Sequence, residues 1–246
     1  MSKTVFITGG ASGIGAAAVA KFSNEGWNVL FTDIQEPSCK PEGTRFVKAD
    51  SRNKAELEHA ASVAEKEFGG IDALFCNSGI HRCNTVLDVS QEELDLMIQT
   101  NIYGTVYTLQ AVLSYIIKRG GGAVVLNDSD QFFVGKPASF VYGMTKGAIG
   151  QIARSLAIDL GPMGIRVNAV CAGTIRTALV DNLFIDFAKR EGKTLDDYWK
   201  QENSLYARGE AGRPEEVAEL VFFLASDKAS FCTGGHYLCD GGLVCR

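Results

Sequence analysis

The sequence predicts an α/β protein built on a parallel sheet with helices on both faces. Three observations predict it. Short β-branched or apolar runs alternate with longer segments of helical period along the chain. The runs are apolar at successive positions, as strands covered on both faces are. The first run ends in a glycine-rich turn that leads directly into helical spacing.

Each element follows from its local pattern. Residues 4–8 (TVFIT) read as a buried strand, and Ala16, Val19, Ala20 and Phe22 then recur at helical spacing. Residues 28–32 form a second strand, 44–48 a short third, and Leu57, Ala61, Ala64 and Phe68 mark a second helix. A fourth strand at 72–76 precedes a long helical stretch from about 90 to 118. Residues 122–127 form a fifth strand and 142–160 a helix, followed by a sixth strand at 165–170. Residues 179–198 are helical but irregular, Pro214 suits the first position of a helix, and 236–239 close as a last short strand. Gly120-Gly121-Gly122 is a turn, since a core strand resumes at once. The reading is one domain over 1–246, with a substrate lid at about 178–210.

The 246 residues are 46% hydrophobic and 22% charged, with net charge −5, which excludes a long disordered chain and a general nucleic-acid binder. No apolar run reaches the roughly 18 residues of a membrane span. Seven cysteines without a CxxC pair argue against a disulfide framework or a zinc site. With no signal-peptide pattern at the start, a cytoplasmic protein without metal is expected.

The turn Thr8-Gly9-Gly10-Ala11-Ser12-Gly13-Ile14-Gly15 joins a strand to a helix. Gly9 allows the tight turn, Gly13 lets a pyrophosphate approach the backbone, and Gly15 lets the helix pack close. The helix start offers free N–H groups and partial positive charge to phosphates. Asp33 ends the second strand, where a carboxylate binds both adenosine ribose hydroxyls and repels a 2′-phosphate, at about 4 kcal/mol per pair of charges. That favours NAD. Asp33 could otherwise simply cap a turn.

Tyr142 and Lys146 lie four apart, on one face of a helix. An ammonium about 4 Å from a phenol stabilises the phenolate by about 4 kcal/mol at an effective dielectric near 20, which suits Tyr142 to general acid/base work. Ser129, thirteen residues earlier, sits just past the fifth strand, where ligands bind in such sheets.

Over essentially its whole length the chain resembles the short-chain dehydrogenase/reductase family. The glycine loop resembles the family's TGxxxGxG, Cys76-Asn77-Ser78-Gly79 its NNAG, and Asp240-Gly241-Gly242 its C-terminal DGG. Asn101, Ser129, Tyr142 and Lys146 match its active-site Asn, its Ser and its YxxxK. Residues 171–177 resemble the PG segment over the nicotinamide. The resemblance implies a single Rossmann-like, doubly wound domain with a seven-stranded parallel sheet in order 3-2-1-4-5-6-7, assembled as a dimer or tetramer. It implies that Tyr142 moves the proton, Ser129 binds the substrate oxygen, Lys146 acidifies Tyr142 and holds the nicotinamide ribose, and Asn101 supports a water chain. For the cofactor it implies Gly9, Ser12, Gly13, Ile14 and Gly15 at the pyrophosphate, Asp33 at the ribose, and Asp50 and Ser51 at the adenine. Asn77, Gly79, Gly173, Ile175 and Thr177 then lie along the nicotinamide half.

Four positions depart from the pattern: Cys76, Ser78, Asp128 and Ala172. Ala172 replaces a proline and is expected to loosen the nicotinamide loop. Of Asp128 and Asp130, which flank Ser129, at least one is expected to be a solvated turn residue. His81, Gln131 and Asp181 either form a polar substrate pocket or stand at its rim beside a wall of Phe132 and Phe133. The lid aromatics Phe184, Phe187, Tyr198 and Trp199 could serve the lid's core, a subunit contact or the substrate. Three functions stay open. One is an NAD-dependent dehydrogenase of a secondary alcohol, polyol, sugar or hydroxy acid. The second resembles 3-oxoacyl-acyl-carrier-protein reductases. The third is a non-catalytic NAD-binding regulatory protein.

Overall fold

Seven parallel strands run in the order β3-β2-β1-β4-β5-β6-β7, in a computed structural model that describes residues 2–245, the side chain of Arg190 apart. They are β1 (Thr4–Thr8), β2 (Asn28–Asp33), β3 (Thr44–Lys48), β4 (Ala73–Cys76), β5 (Gly122–Ser129), β6 (Ile165–Ala172) and β7 (His236–Cys239). The order reverses between β1 and β4, and that reversal opens a crevice at the carboxyl ends of the strands.

Strand alternation sends successive side chains into two separate cores. Phe6, Leu30, Leu74, Val124 and Val167 pack against α2 (Lys54–Phe68), α4 (Gly104–Lys118) and α5 (Phe140–Leu160). Val5, Ile7, Val29, Phe31 and Val125 pack against α1 (Gly13–Asn24) and α8 (Pro214–Ala225). All five residues of β1 are buried, which is why no polar alternation marks it.

The long helix expected at 90–118 is interrupted. It divides into α3 (Gln91–Met97), a π-helical turn at Ile98–Tyr103, and α4. Widened turns of this kind carry no hydrophobic signature, and this one holds the buried Asn101. Both β5 and β6 run two residues further than expected, to Ser129 and Ala172, so Ser129 is the last residue of its strand and not a loop residue beyond it.

The segment expected as a lid folds as two helices, α6 (Ala178–Glu191) and α7 (Leu195–Asn203), separated where Gly192 adopts φ +67°. Phe184, Trp199, Tyr206 and Ala211 form their own small core, with Phe187 and Tyr198 packed against it. The lid aromatics therefore hold the lid together. Among the described residues no helix is long and apolar enough to cross a membrane.

Candidate active site

The glycine loop is closed on itself. Gly9 and Gly13 have φ of +66° and +54°, and a Cβ on Gly15 would lie 1.9 Å from the Gly9 carbonyl oxygen. Ser12 is the extended N-cap of α1 and its side chain makes no capping bond. No acidic residue stands in the first turn of α1, leaving the positive end of its dipole uncompensated. Ile14 packs onto the α1/α8 core. Asp33 caps its turn and ties the loop: Oδ2 accepts from the Ala11 amide at 3.0 Å and Oδ1 from the Gln35 amide at 3.0 Å.

Asn77 stitches three strand ends together. Its Nδ2 donates to the Thr8 and Gly9 carbonyls, each at 3.0 Å, and its Oδ1 accepts from Asn127 Nδ2 at 2.9 Å. A Cβ on Gly13 would meet Thr177 Cγ2 at 3.2 Å, so the segment after β6 lies against the phosphate loop. That segment is tied down despite Ala172: Gly173 N donates to Cys239 O at 3.1 Å, Thr174 N to Tyr206 Oη at 3.0 Å and Arg176 N to Gly212 O at 2.8 Å. Ile175 turns into the α1/α8 core, 5% exposed. Ser51 is buried against Gly104, and the Asp50 carboxylate, paired with Arg52 at 2.6 Å, is held below its usual range by that guanidinium.

Asn101, 3% exposed, grips Ile80 from both sides. Its Oδ1 accepts from Ile80 N at 2.8 Å, and its Nδ2 donates to Ile80 O at 3.0 Å and to Thr145 Oγ1 at 3.1 Å. The π-helical turn is thus clamped both to the segment that follows β4 and to the residue before Lys146. A Cβ on Gly79 would meet Asn101 Oδ1 at 3.3 Å. Lys146 is buried and donates to the Asn127 carbonyl at 2.6 Å, with its Nζ 5.4 Å from the Tyr142 ring centroid.

The expectation for the two aspartates is corrected: neither is solvated. Asp128 is 2% and Asp130 1% exposed. Asp128 Oδ1 accepts from Ser129 N at 2.9 Å, while Oδ2 is buried without a partner. Burial pushes this carboxyl up to about 6, although Lys146 pulls the other way. Asp130 accepts from Ser129 Oγ at 2.9 Å and pairs with Lys136 at 2.7 Å. The pairing partner lies six residues on, beyond any helical spacing, so the sequence offered no pattern for it.

His81 lies flat on Tyr142 and its Nε2 is 3.1 Å from Ser139 Oγ. Gln131 reaches the turn of α5 that carries Tyr142, with Oε1 3.4 Å from where a Cβ on Gly143 would stand. Asp181 belongs to the lid, where its Oδ1 accepts from Trp199 Nε1 at 2.8 Å. Phe132 packs under α5 against His236. Among the described residues no group of His, Cys, Asp and Glu is arranged to hold a metal.

A doubly wound sheet with this crevice and this Ser, Tyr and Lys set defines a class, the dinucleotide-fold oxidoreductases. The sequence model described as Enoyl-(Acyl carrier protein) reductase matches residues 9–244. A diacetyl reductase [(S)-acetoin forming] of Staphylococcus epidermidis is 31% identical over 100% of both chains. A 3-alpha-(or 20-beta)-hydroxysteroid dehydrogenase of Mycobacterium tuberculosis is 31% identical over 99% of this chain and 90% of its own. Among solved structures, a short chain dehydrogenase family protein from Francisella tularensis superposes with TM-score 0.93 at 35% identity over 100% of both chains. The ligand-free aldohexose dehydrogenase of Thermoplasma acidophilum gives TM-score 0.93 at 29% identity, over 100% of this chain and 95% of its own. The chain belongs to the short-chain dehydrogenase/reductase family and is an oxidoreductase acting on CH–OH groups.

Proposed function

We propose that this protein interconverts a secondary alcohol and its ketone with NAD(H), the substrate being a polyol, sugar or hydroxy acid. The observation that carries the reading is Lys146 Nζ, 5.4 Å from the Tyr142 ring centroid and bonded at 2.6 Å to the Asn127 carbonyl near the carboxyl end of β5. The residues present fit the cofactor. The glycine turn, where a Cβ on Gly15 would strike the Gly9 carbonyl oxygen, would hold the pyrophosphate, with N–H donors from the start of α1. Asp33, at the end of β2, would accept from the ribose hydroxyls, and Ile34 and Gln35 after it offer no basic side chain to a 2′-phosphate. When bound, the nicotinamide supplies hydride acceptance or donation.

The side chains do the rest. Tyr142 takes the alcohol's proton, or returns it to the ketone. The Lys146 ammonium is aimed by the Asn127 carbonyl, to which it donates at 2.6 Å. Asn101 fixes the segment that follows β4 against α5, so Tyr142 and Lys146 keep their relation to the cofactor crevice. Ser129 binds oxygen of the substrate. The names of the relatives, which turn on small ketones, steroids and sugars, support a CH–OH substrate. The test is NADH formation at alkaline pH over a panel of alcohols, polyols, sugars and hydroxy acids. Turnover of a hydroxylated substrate is expected. Cofactor binding with no turnover across the panel would overturn the reading.

A further inference from the structure

Tyr206, just past α7, is 2% exposed and packs with Phe184, Trp199 and Ala211. Its Oη accepts from the Thr174 amide at 3.0 Å and donates to Glu202 Oε1, in the last turn of α7, at 2.8 Å. Burial pushes this phenol far above its usual range, so the proton stays on Oη. The ring is flanked by two glycines: a Cβ on Gly173 would lie 3.3 Å from Tyr206 Cε1, and one on Gly241 3.2 Å from Cδ1.

The amides on either side of Thr174 are held differently. Gly173 N and Arg176 N end on the backbone carbonyls of Cys239 and Gly212, whereas Thr174 N ends on a side chain from the core of α6 and α7. Arg176 adds a second contact to that core, its guanidinium 4.4 Å from the Trp199 ring centroid. At its other end the segment touches the phosphate loop, where Thr177 Cγ2 would meet a Cβ on Gly13 at 3.2 Å. Residues 173–177 are thus strapped between the phosphate loop and α7. Ala172 puts no ring constraint on φ before them, which leaves their placement to these contacts.

We propose that Tyr206 is a positioning residue for the coenzyme: its hydroxyl joins residues 173–177 to α7 and so fixes the wall against which the nicotinamide rests. The inference deepens the reading above and rests on NAD(H) lying in the crevice with its nicotinamide at that segment. Tyr206 acts through the Thr174 amide and not on the substrate.

The test compares NADH with ADP-ribose, which carries the same adenosine and pyrophosphate but no nicotinamide. Calorimetric titration gives both dissociation constants for the wild type, Tyr206→Phe, Glu202→Ala and Glu202→Gln, with thermal melts beside them. Tyr206→Phe keeps the ring and leaves the Thr174 amide without its acceptor. Its NADH affinity is expected to fall about tenfold, while its ADP-ribose affinity stays within about twofold of the wild type. Glu202→Ala frees the Tyr206 proton and is expected to show the same selective loss to a smaller degree. Glu202→Gln keeps an acceptor and is expected to return NADH affinity toward the wild type. A merely structural Tyr206 would lower the melting temperature and shift both ligands together, or neither. That result overturns the proposal, as does a wild type that binds NADH no more tightly than ADP-ribose. Should Tyr206→Phe not fold, the Glu202 pair decides on the same criterion. Tyr142→Phe is assayed alongside: if it loses turnover, an unselective Tyr206→Phe sinks this inference alone, while a wild type that binds neither ligand sinks the reading beneath it as well.

Discussion

His81 and Tyr142 are stacked, with ring centroids 4.2 Å apart and planes inclined by 25°. Burial first, and then the cations Lys136, Lys146 and Arg82, push the imidazole down to about 4. His81 is therefore neutral at neutral pH, and it stacks on the phenol without adding charge. Between about 6.5 and 4 the folded protein binds fewer protons at this site than the unfolded chain, so the His81 contribution to stability is lost as pH falls through that range. His81→Phe keeps the stack and removes the titration. Urea unfolding at pH 7 and pH 4.5 should show a smaller acid loss in the variant, by on the order of 2 kcal/mol.

Asp128 acts with the opposite sign. Its carboxyl is pushed up to about 6 by burial, so between about 4 and 6 the folded state holds a proton that the unfolded chain releases. Stability from this group falls as pH rises through that window, and the cost persists above it. Asp128→Asn should raise stability at pH 8 by on the order of 2 kcal/mol and change little at pH 3.5. Denaturant midpoints at the two pH values check this. Because the two windows overlap, the wild type shows a flattened profile between 4 and 6, and only the single variants separate the groups.

Asp33 should decide the coenzyme. Asp33→Asn removes the charge opposing a 2′-phosphate while leaving an acceptor for the Ala11 amide, a bond of 3.0 Å in the wild type. NADP affinity should rise tenfold or more relative to NAD, since about 4 kcal/mol of repulsion per charge pair is relieved. Fluorescence titration with both reduced coenzymes reads the ratio.

Gly15 sets the shape of the phosphate loop. A methyl group there would sit 1.9 Å from the Gly9 carbonyl oxygen, a backbone atom that can retreat only by opening the loop. Gly15→Ala should weaken NADH binding by at least about tenfold, the equivalent of about 1.4 kcal/mol, while the sheet still forms. Calorimetric titration beside far-ultraviolet circular dichroism separates the two effects.

The strands and the phosphate loop were legible because both obey local rules: apolar runs such as that of β1, and glycines demanded by φ and by close approach. Tyr142 and Lys146 stood out by their spacing and Ser129 by its place past the fifth strand, while their roles came from the family resemblance. Three features were not. The π-helical turn around Asn101 leaves the apolar pattern of its helix unchanged. The burial of Asp128 and Asp130 depends on strand β5 running two residues further than expected and on Lys136 arriving from a loop. The bond of Asp181 to Trp199 is set by how α6 and α7 fold on each other, which spacing in the sequence does not show.

The most direct measurement is the rate of NADH formation by Tyr142→Phe at alkaline pH, set against the wild type on the best hydroxylated substrate. A loss on the order of 10²–10⁴-fold, with NADH binding retained, is predicted for removal of the proton acceptor. Turnover within a few-fold of wild type would contradict the role given to Tyr142 and Lys146.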